Sequence, residues 1–174
     1  MVFRNSSLWA CQTAFLPFGA PTRSAVQWWQ FTPAGTVQQF GRVDDVGGTT
    51  FFAFPSIAVN SQSDLLLGFS SFSASQFASG SYAFRAGSDP ANTLRDPVIL
   101  KAGEATYVKR FSGTRNRWGD FSNTVVDPAN DLDFWTIQEY AAAHFQNDDS
   151  KWGTWWGKVS VSPAKKRRGQ LITP

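Results

Sequence analysis

The sequence predicts an all-β protein built from repeated antiparallel sheets, and three observations point there. A unit recurs along the chain: Phe54-Pro-Ser-Ile-Ala-Val-Asn60, a short turn, then Asp64-Leu-Leu-Leu-Gly-Phe-Ser-Ser71. It returns as Phe121-Ser-Asn-Thr-Val-Val-Asp127, a turn, and Asp133-Phe-Trp-Thr-Ile-Gln-Glu-Tyr140, while Leu8-Trp-Ala-Cys-Gln-Thr13 matches its second half alone. Aromatic residues make up 16% of the chain, dominated by Phe and Trp, a composition that suits strands. Turn clusters such as Pro17-Phe-Gly-Ala-Pro21 and Thr32-Pro-Ala-Gly35 separate the short apolar runs.

Internal repeats outrank local propensity as a guide to architecture. These units read as a partial β-propeller of two to three four-stranded antiparallel blades: a blade part at residues 3–43, a blade at 54–101 and another at 121–161, then a basic tail or linker at 162–174. A β-sandwich is the alternative architecture. In the first unit strands are expected at Leu8–Leu16, Arg23–Phe31 and Thr36–Val43, the last two forming a hairpin. In the second they are expected at Ser56–Asn60, Leu65–Ser71, Gly80–Arg85 and Val98–Lys101, and in the third at Asn123–Asp127, Phe134–Glu139 and Thr154–Val161. The third strands align as Val26-Gln-Trp-Trp29, Ser81-Tyr-Ala-Phe84 and Thr154-Trp-Trp-Gly157. The Glu-Tyr-Ala-Ala-Ala-His stretch has helical propensity, so a short helical turn is expected near Ala141–His144. Equivalent strands recur roughly every 60–70 residues, against roughly 40–50 for a typical blade, so the loops are long. Closed rings have roughly four to eight blades. The chain therefore reads as a fragment of a longer propeller, or as a subunit that completes a ring with others through exposed blade faces.

The formal charge of +3 comes largely from Lys165-Lys-Arg-Arg168, so nucleic acid is not the expected partner. No apolar run approaches a membrane span, and Met1-Val-Phe-Arg-Asn-Ser-Ser7 is not the start of a secretion signal. Cys11 is the single cysteine, in an apolar strand pattern, and reads as an inert buried thiol.

In a propeller, the loops entering each innermost strand and those joining second to third strands gather on one face. Here they are Gly41–Ala53, Lys101–Asp120, Leu16–Arg23, Phe72–Ser79 and Ala141–Trp152. Lys101–Asp120 is the richest and holds the ligand-binding candidates Glu104, Tyr107, Arg110, Arg115, Arg117 and Trp118. Arginines beside an aromatic surface can grip a carboxylate or sulfate bidentately while a sugar ring stacks on Trp118. The alternative is that these arginines pair with Glu104 and Asp120 and pin the loop. Asp120, Glu139 and Tyr140 are the catalytic candidates, because glycoside hydrolysis needs two carboxyl groups about 5–9.5 Å apart; solvated strand-end roles are the alternative.

Asp127-Pro-Ala-Asn-Asp-Leu-Asp133 has oxygen donors at alternate positions, as a Ca²⁺ loop would, but lacks the EF-hand glycine and terminal glutamate. It reads as a hairpin turn, and no metal or cofactor is expected beyond that Ca²⁺ alternative. His144 is the single histidine, without the partners of a zinc site or a triad.

The string Arg117-Trp-Gly-Asp-Phe-Ser122, then Val126-Asp-Pro128, Phe134-Trp135 and Glu139-Tyr140, resembles a group of largely uncharacterised bacterial propeller proteins, sialidase-like in architecture and usually secreted. Phe54-Pro-Ser-Ile-Ala-Val59 and Leu67-Gly-Phe-Ser-Ser71 fit the same group, and the resemblance covers about residues 3–161. It implies an extracellular parent protein and no assigned chemistry. Characterised sialidases carry a Ser-x-Asp-x-Gly-x-x-Trp turn, an arginine triad and a Tyr/Glu pair; that turn does not occur here. The resulting expectation is a non-catalytic glycan- or protein-binding or scaffold module. The alternatives are a sialidase-like glycoside hydrolase whose other catalytic residues lie outside this chain, and a degenerate fragment without independent function.

Overall fold

The run from Leu65 to Ser71 is apolar or small at every position, a pattern that suits a strand covered on both faces. In the computed structural model, which describes residues 1–161, it lies in the middle one of three antiparallel sheets. The tail that carries Lys165–Arg168 lies outside the described residues. Sheet 1 comprises β1 (Val2–Arg4), β2 (Ser7–Leu16), β3 (Arg23–Phe31) and β4 (Val37–Val43). Sheet 2 comprises β5 (Thr50–Val59), β6 (Leu65–Ser73), β7 (Gln76–Arg85) and β8 (Val98–Lys101). Sheet 3 comprises β9 (Asn123–Val126), β10 (Phe134–Ala141) and β11 (Trp152–Val159). Each sheet is a meander in chain order, and the described residues contain no helix.

Successive side chains of a strand point to opposite faces, and sheet 2 uses both. Leu65, Leu67 and Phe69 pack with Trp9, Val26 and Trp28 of sheet 1. Leu66, together with Tyr82 and Phe84, packs on Phe134 and Val159 of sheet 3. Phe52 meets Phe69 edge to face at 5.7 Å, and Phe84 meets Phe134 in the same way at 6.3 Å. Further along the second junction the contact turns polar. Gln138 is fully buried and donates to Thr136 Oγ1 at 2.8 Å and Ser56 Oγ at 3.1 Å, and Thr124 bridges the same two hydroxyls. A side chain at Gly68 would fall 2.1 Å from Gln138 Nε2, so the close approach of β6 and β10 requires glycine there.

The register makes the repeat explicit. Leu8↔Phe31, Leu65↔Arg85 and Phe134↔Val159 begin the central strand pairs of the three sheets. Counting from these pairs, Trp9, Leu66 and Trp135 are equivalent, and so are Trp28, Tyr82 and Trp156. The sequence alignment of the third strands placed Ser81–Phe84 one residue too far along, because Val26 and Thr154 correspond to Gly80. A slip of one residue exchanges the two faces.

Other differences have local causes. The first unit does not lack its first strand: Val2–Arg4 pairs with β2 through a two-residue turn at Asn5-Ser6, both at positive φ. A turn of that kind usually carries Asn-Gly, so Asn5-Ser6 does not announce it. Most of Gly41–Ala53 is strand rather than loop, since β5 begins at Thr50. No helical turn forms at Ala141–His144; Ala142 donates instead to the Lys151 carbonyl at 3.2 Å, extending the hairpin. Cys11 is half-buried with its thiol on the Pro55 carbonyl, and burial pushes its pKa up to about 11, in keeping with an inert thiol.

Leu67→Ala is expected to cost about 2–5 kcal/mol, because a fully buried side chain leaves a cavity between two sheets. Phe18→Ala, at a fully exposed position, should stay within about 0.5 kcal/mol. Urea unfolding of both variants checks the contrast.

Candidate binding cleft at the loop ends

A long connection between two sheets needs anchors if it is to hold one conformation, and residues 102–122, between β8 and β9, have several. Glu104 and Val108 donate through their backbone N–H groups to the carbonyls of Ala141 and Asp149, both at 2.8 Å. His144 Nε2 donates to the Thr106 carbonyl at 2.7 Å. Asn116 closes the loop on itself, donating to the Tyr107 carbonyl at 3.0 Å and accepting from the Lys109 N–H. Trp118 donates to Ser70 Oγ at 3.0 Å and meets Tyr107 edge to face at 4.8 Å.

The return of this connection is held by Glu139. Its Oε2 accepts the N–H groups of Gly119 at 3.1 Å and Phe121 at 3.4 Å, and its own N–H donates to Ser122 Oγ. Gly119 has φ +94, and a Cβ there would lie 2.2 Å from the Phe54 ring, so only glycine fits between Glu139 and Phe54. Burial pushes the Glu139 carboxyl above its usual value despite these donors, and the Asp120 charge adds to the effect. Burial also raises Tyr107, with the Glu139 and Asp120 charges adding to it.

Tyr107, Arg117, Trp118, Asp120 and Glu139 thus line one open cleft of about 250 Å³. Arg117 and Asp120 form an exposed ion pair at its mouth. Five wall residues were not among the sequence candidates: Lys109, Phe111, Phe121, Ser150 and Trp152. Phe121 and Trp152 stack at 4.5 Å, nearly parallel, and Lys109 adds a second cation. Trp152 reaches the cleft because it pairs with Ala141 at the end of β10, a register visible in the sequence only as a loop boundary. On the other side of Tyr107 and Trp118 lies an apolar groove of about 530 Å³, lined by Phe54, Phe72 and Phe77.

The remaining candidates lie elsewhere. Glu104 pairs with Lys101 at 2.6 Å and accepts the Ala143 N–H at 3.0 Å, as a loop anchor. Arg110 and Arg115 are exposed and do not line the cleft. Tyr140 follows Glu139 on β10 and so faces the opposite side of sheet 3, where Lys101 Nζ sits 5.1 Å from its ring centre. Glu139 and Tyr140 therefore do not address one substrate position.

The Asp127–Asp133 turn is occupied by the protein itself. Lys158 Nζ bridges the two carboxylates at 3.0 Å each, and Asn130 and the Val161 N–H also donate to Asp133. These donors, the Val161 N–H foremost, hold Asp133 down at about 2. Among the described residues, no group of three or more His, Cys, Asp or Glu is placed to hold a metal.

The two carboxyl groups predict opposite pH responses. Glu139 is raised in the folded protein, so its contribution is present below the usual 4.5 and lost as pH rises through the folded value. Stability of Glu139→Gln relative to wild type should therefore increase with pH across that window. Asp133 is lowered, so its contribution is present above the usual 3.8 and lost as pH falls towards about 2; Asp133→Asn should lose its deficit in acid. Thermal melts of both variants across the acidic range test the two signs. Comparison with protein-family models, curated proteins and solved structures finds no match to this chain.

Proposed function

We propose that this chain is a non-catalytic binding module, part of a sialidase-like β-propeller of an extracellular bacterial protein, and that its cleft takes an acidic glycan. The observation that carries this reading is the pairing of Arg117 and Lys109 with the stacked Phe121 and Trp152 at one open cleft. A sugar ring packs on an aromatic face, and a carboxylate or sulfate can replace Asp120 on the Arg117 guanidinium. That exchange costs little, because exposed ion pairs contribute at most about 1 kcal/mol. The blade reading draws support from three successive meander sheets, each stacked on the next.

Catalysis fits less well. Glu139 spends one carboxylate oxygen on two backbone donors beneath the loop. A hydrolase reading rests on one observation: a raised, buried carboxyl lines the same cleft as Asp120.

Binding to uronate-containing and sulfated oligosaccharides, read by calorimetry, tests the proposal. Arg117→Ala should weaken it by roughly 10- to 100-fold, the equivalent of about 1.5–3 kcal/mol for charge-assisted hydrogen bonds. Unchanged affinity would sink the glycan reading. Turnover of aryl glycosides by wild type, abolished in Asp120→Asn with the fold intact, would establish the hydrolase instead.

A further inference from the structure

Among the described residues one face of sheet 1 has no partner and the outer face of sheet 3 is covered only at its Glu139 end, by the 117–122 loop, and the register says what kind of surface each open area fits. In sheet 1, Trp9 and Trp28 stack at 6.1 Å and lie fully buried under sheet 2. The equivalent pair of sheet 3, Trp135 and Trp156, is also in ring contact, at 5.4 Å with the rings tilted by 45°. Yet Trp156 is 65% exposed, where Trp28 is 0% exposed. Ile137 and Val125 continue this open face. The face that covers Trp9 and Trp28 is that of Leu65, Leu67 and Ala83 on sheet 2. Its equivalents on sheet 1 are Leu8, Ala10 and Trp29, and they point away from sheet 2. Trp29 stacks with Phe31 there at 6.4 Å, beside Phe40, which is 46% exposed.

We propose that the open face of sheet 3 docks on the open face of sheet 1 of a second copy of this chain. The contact repeats, between chains, the sheet-on-sheet junction already present twice within one chain. It is heterologous, and heterologous contacts form a ring when their rotation closes. Two copies bring six sheets, within the roughly four to eight of closed propellers. This inference rests on the blade reading of the sheets, and not on the glycan reading of the cleft.

The test is sedimentation velocity and small-angle scattering on the full chain, with oligosaccharide binding measured on the same sample. Wild type should sediment as two copies of the 19.2 kDa chain with a closed, annular profile. Trp156→Asp and Trp29→Asp should each weaken association more than about tenfold, since buried tryptophans dominate interfaces. Ile137→Lys, at a surface position, provides a second variant should Trp156→Asp fail to fold. Mixing the two aspartate variants should restore a two-copy species, because one intact junction can still form between them. A wild-type monomer, an open polymer, or a dimer indifferent to Trp29→Asp would overturn the proposal. A monomer that still binds oligosaccharide would leave the cleft reading standing.

Discussion

Sheet 2 has no free face, and the rest of the molecule is arranged around that constraint. A strand such as Leu65–Ser73 cannot alternate apolar and polar residues, because sheets 1 and 3 cover its two sides. Each covering sheet must then present a matching surface: aromatic and branched on sheet 1, and apolar giving way to hydroxyl and amide on sheet 3. Burying large rings on both sides of one sheet explains the aromatic content better than strand propensity does. It also explains Gly68, where Gln138 crosses so close to β6 that no side chain fits.

The same stacking places the cleft. Meander sheets laid one on another bring the β6–β7 and β10–β11 ends to one side, and the chain must cross between sheets there through residues 102–122. Glu139 ties the loop to sheet 3, since one carboxylate oxygen holds the returning loop against β10, and Trp118 ties it to β6 through Ser70. The burial of Glu139 is a consequence of that role. Desolvation of a carboxyl so buried outweighs the lowering by its backbone donors and raises its pKa without any need for catalysis. The exposed groups at the mouth, above all Arg117 in its exposed pair with Asp120, are the ones available to an outside anion.

The repeat was readable from Asp64-Leu65 and Asp133-Phe134, because a turn followed by an inward strand leaves the same mark wherever it occurs. The strands of sheet 2 followed from it, along with the loop that carries the cleft. What escaped was set by tertiary contact. β1 is three residues long behind a turn without glycine, so nothing local distinguishes it. The pairing of Ala141 with Trp152, which brings an aromatic wall to the cleft, depends on hairpin register and not on composition. Glu139 and Tyr140 were candidates together, yet adjacency in a strand puts them on opposite faces.

Chemistry divides the surface into two kinds of feature. The cleft lies at the Glu139 end of the outer face of sheet 3 and is mixed: cations, a carboxylate and stacked rings, open to water and suited to a polar ligand. The outer faces of sheets 1 and 3 are broad and aromatic, suited to another sheet. Trp156 makes the distinction sharpest. Trp28 at the same register is wholly covered by a neighbouring sheet, and each of the two meets a tryptophan at the same position of the adjacent strand. A side chain that elsewhere in the same fold is core, and that keeps its ring partner at the surface, is best accounted for by a covering surface like the one that buries its counterpart.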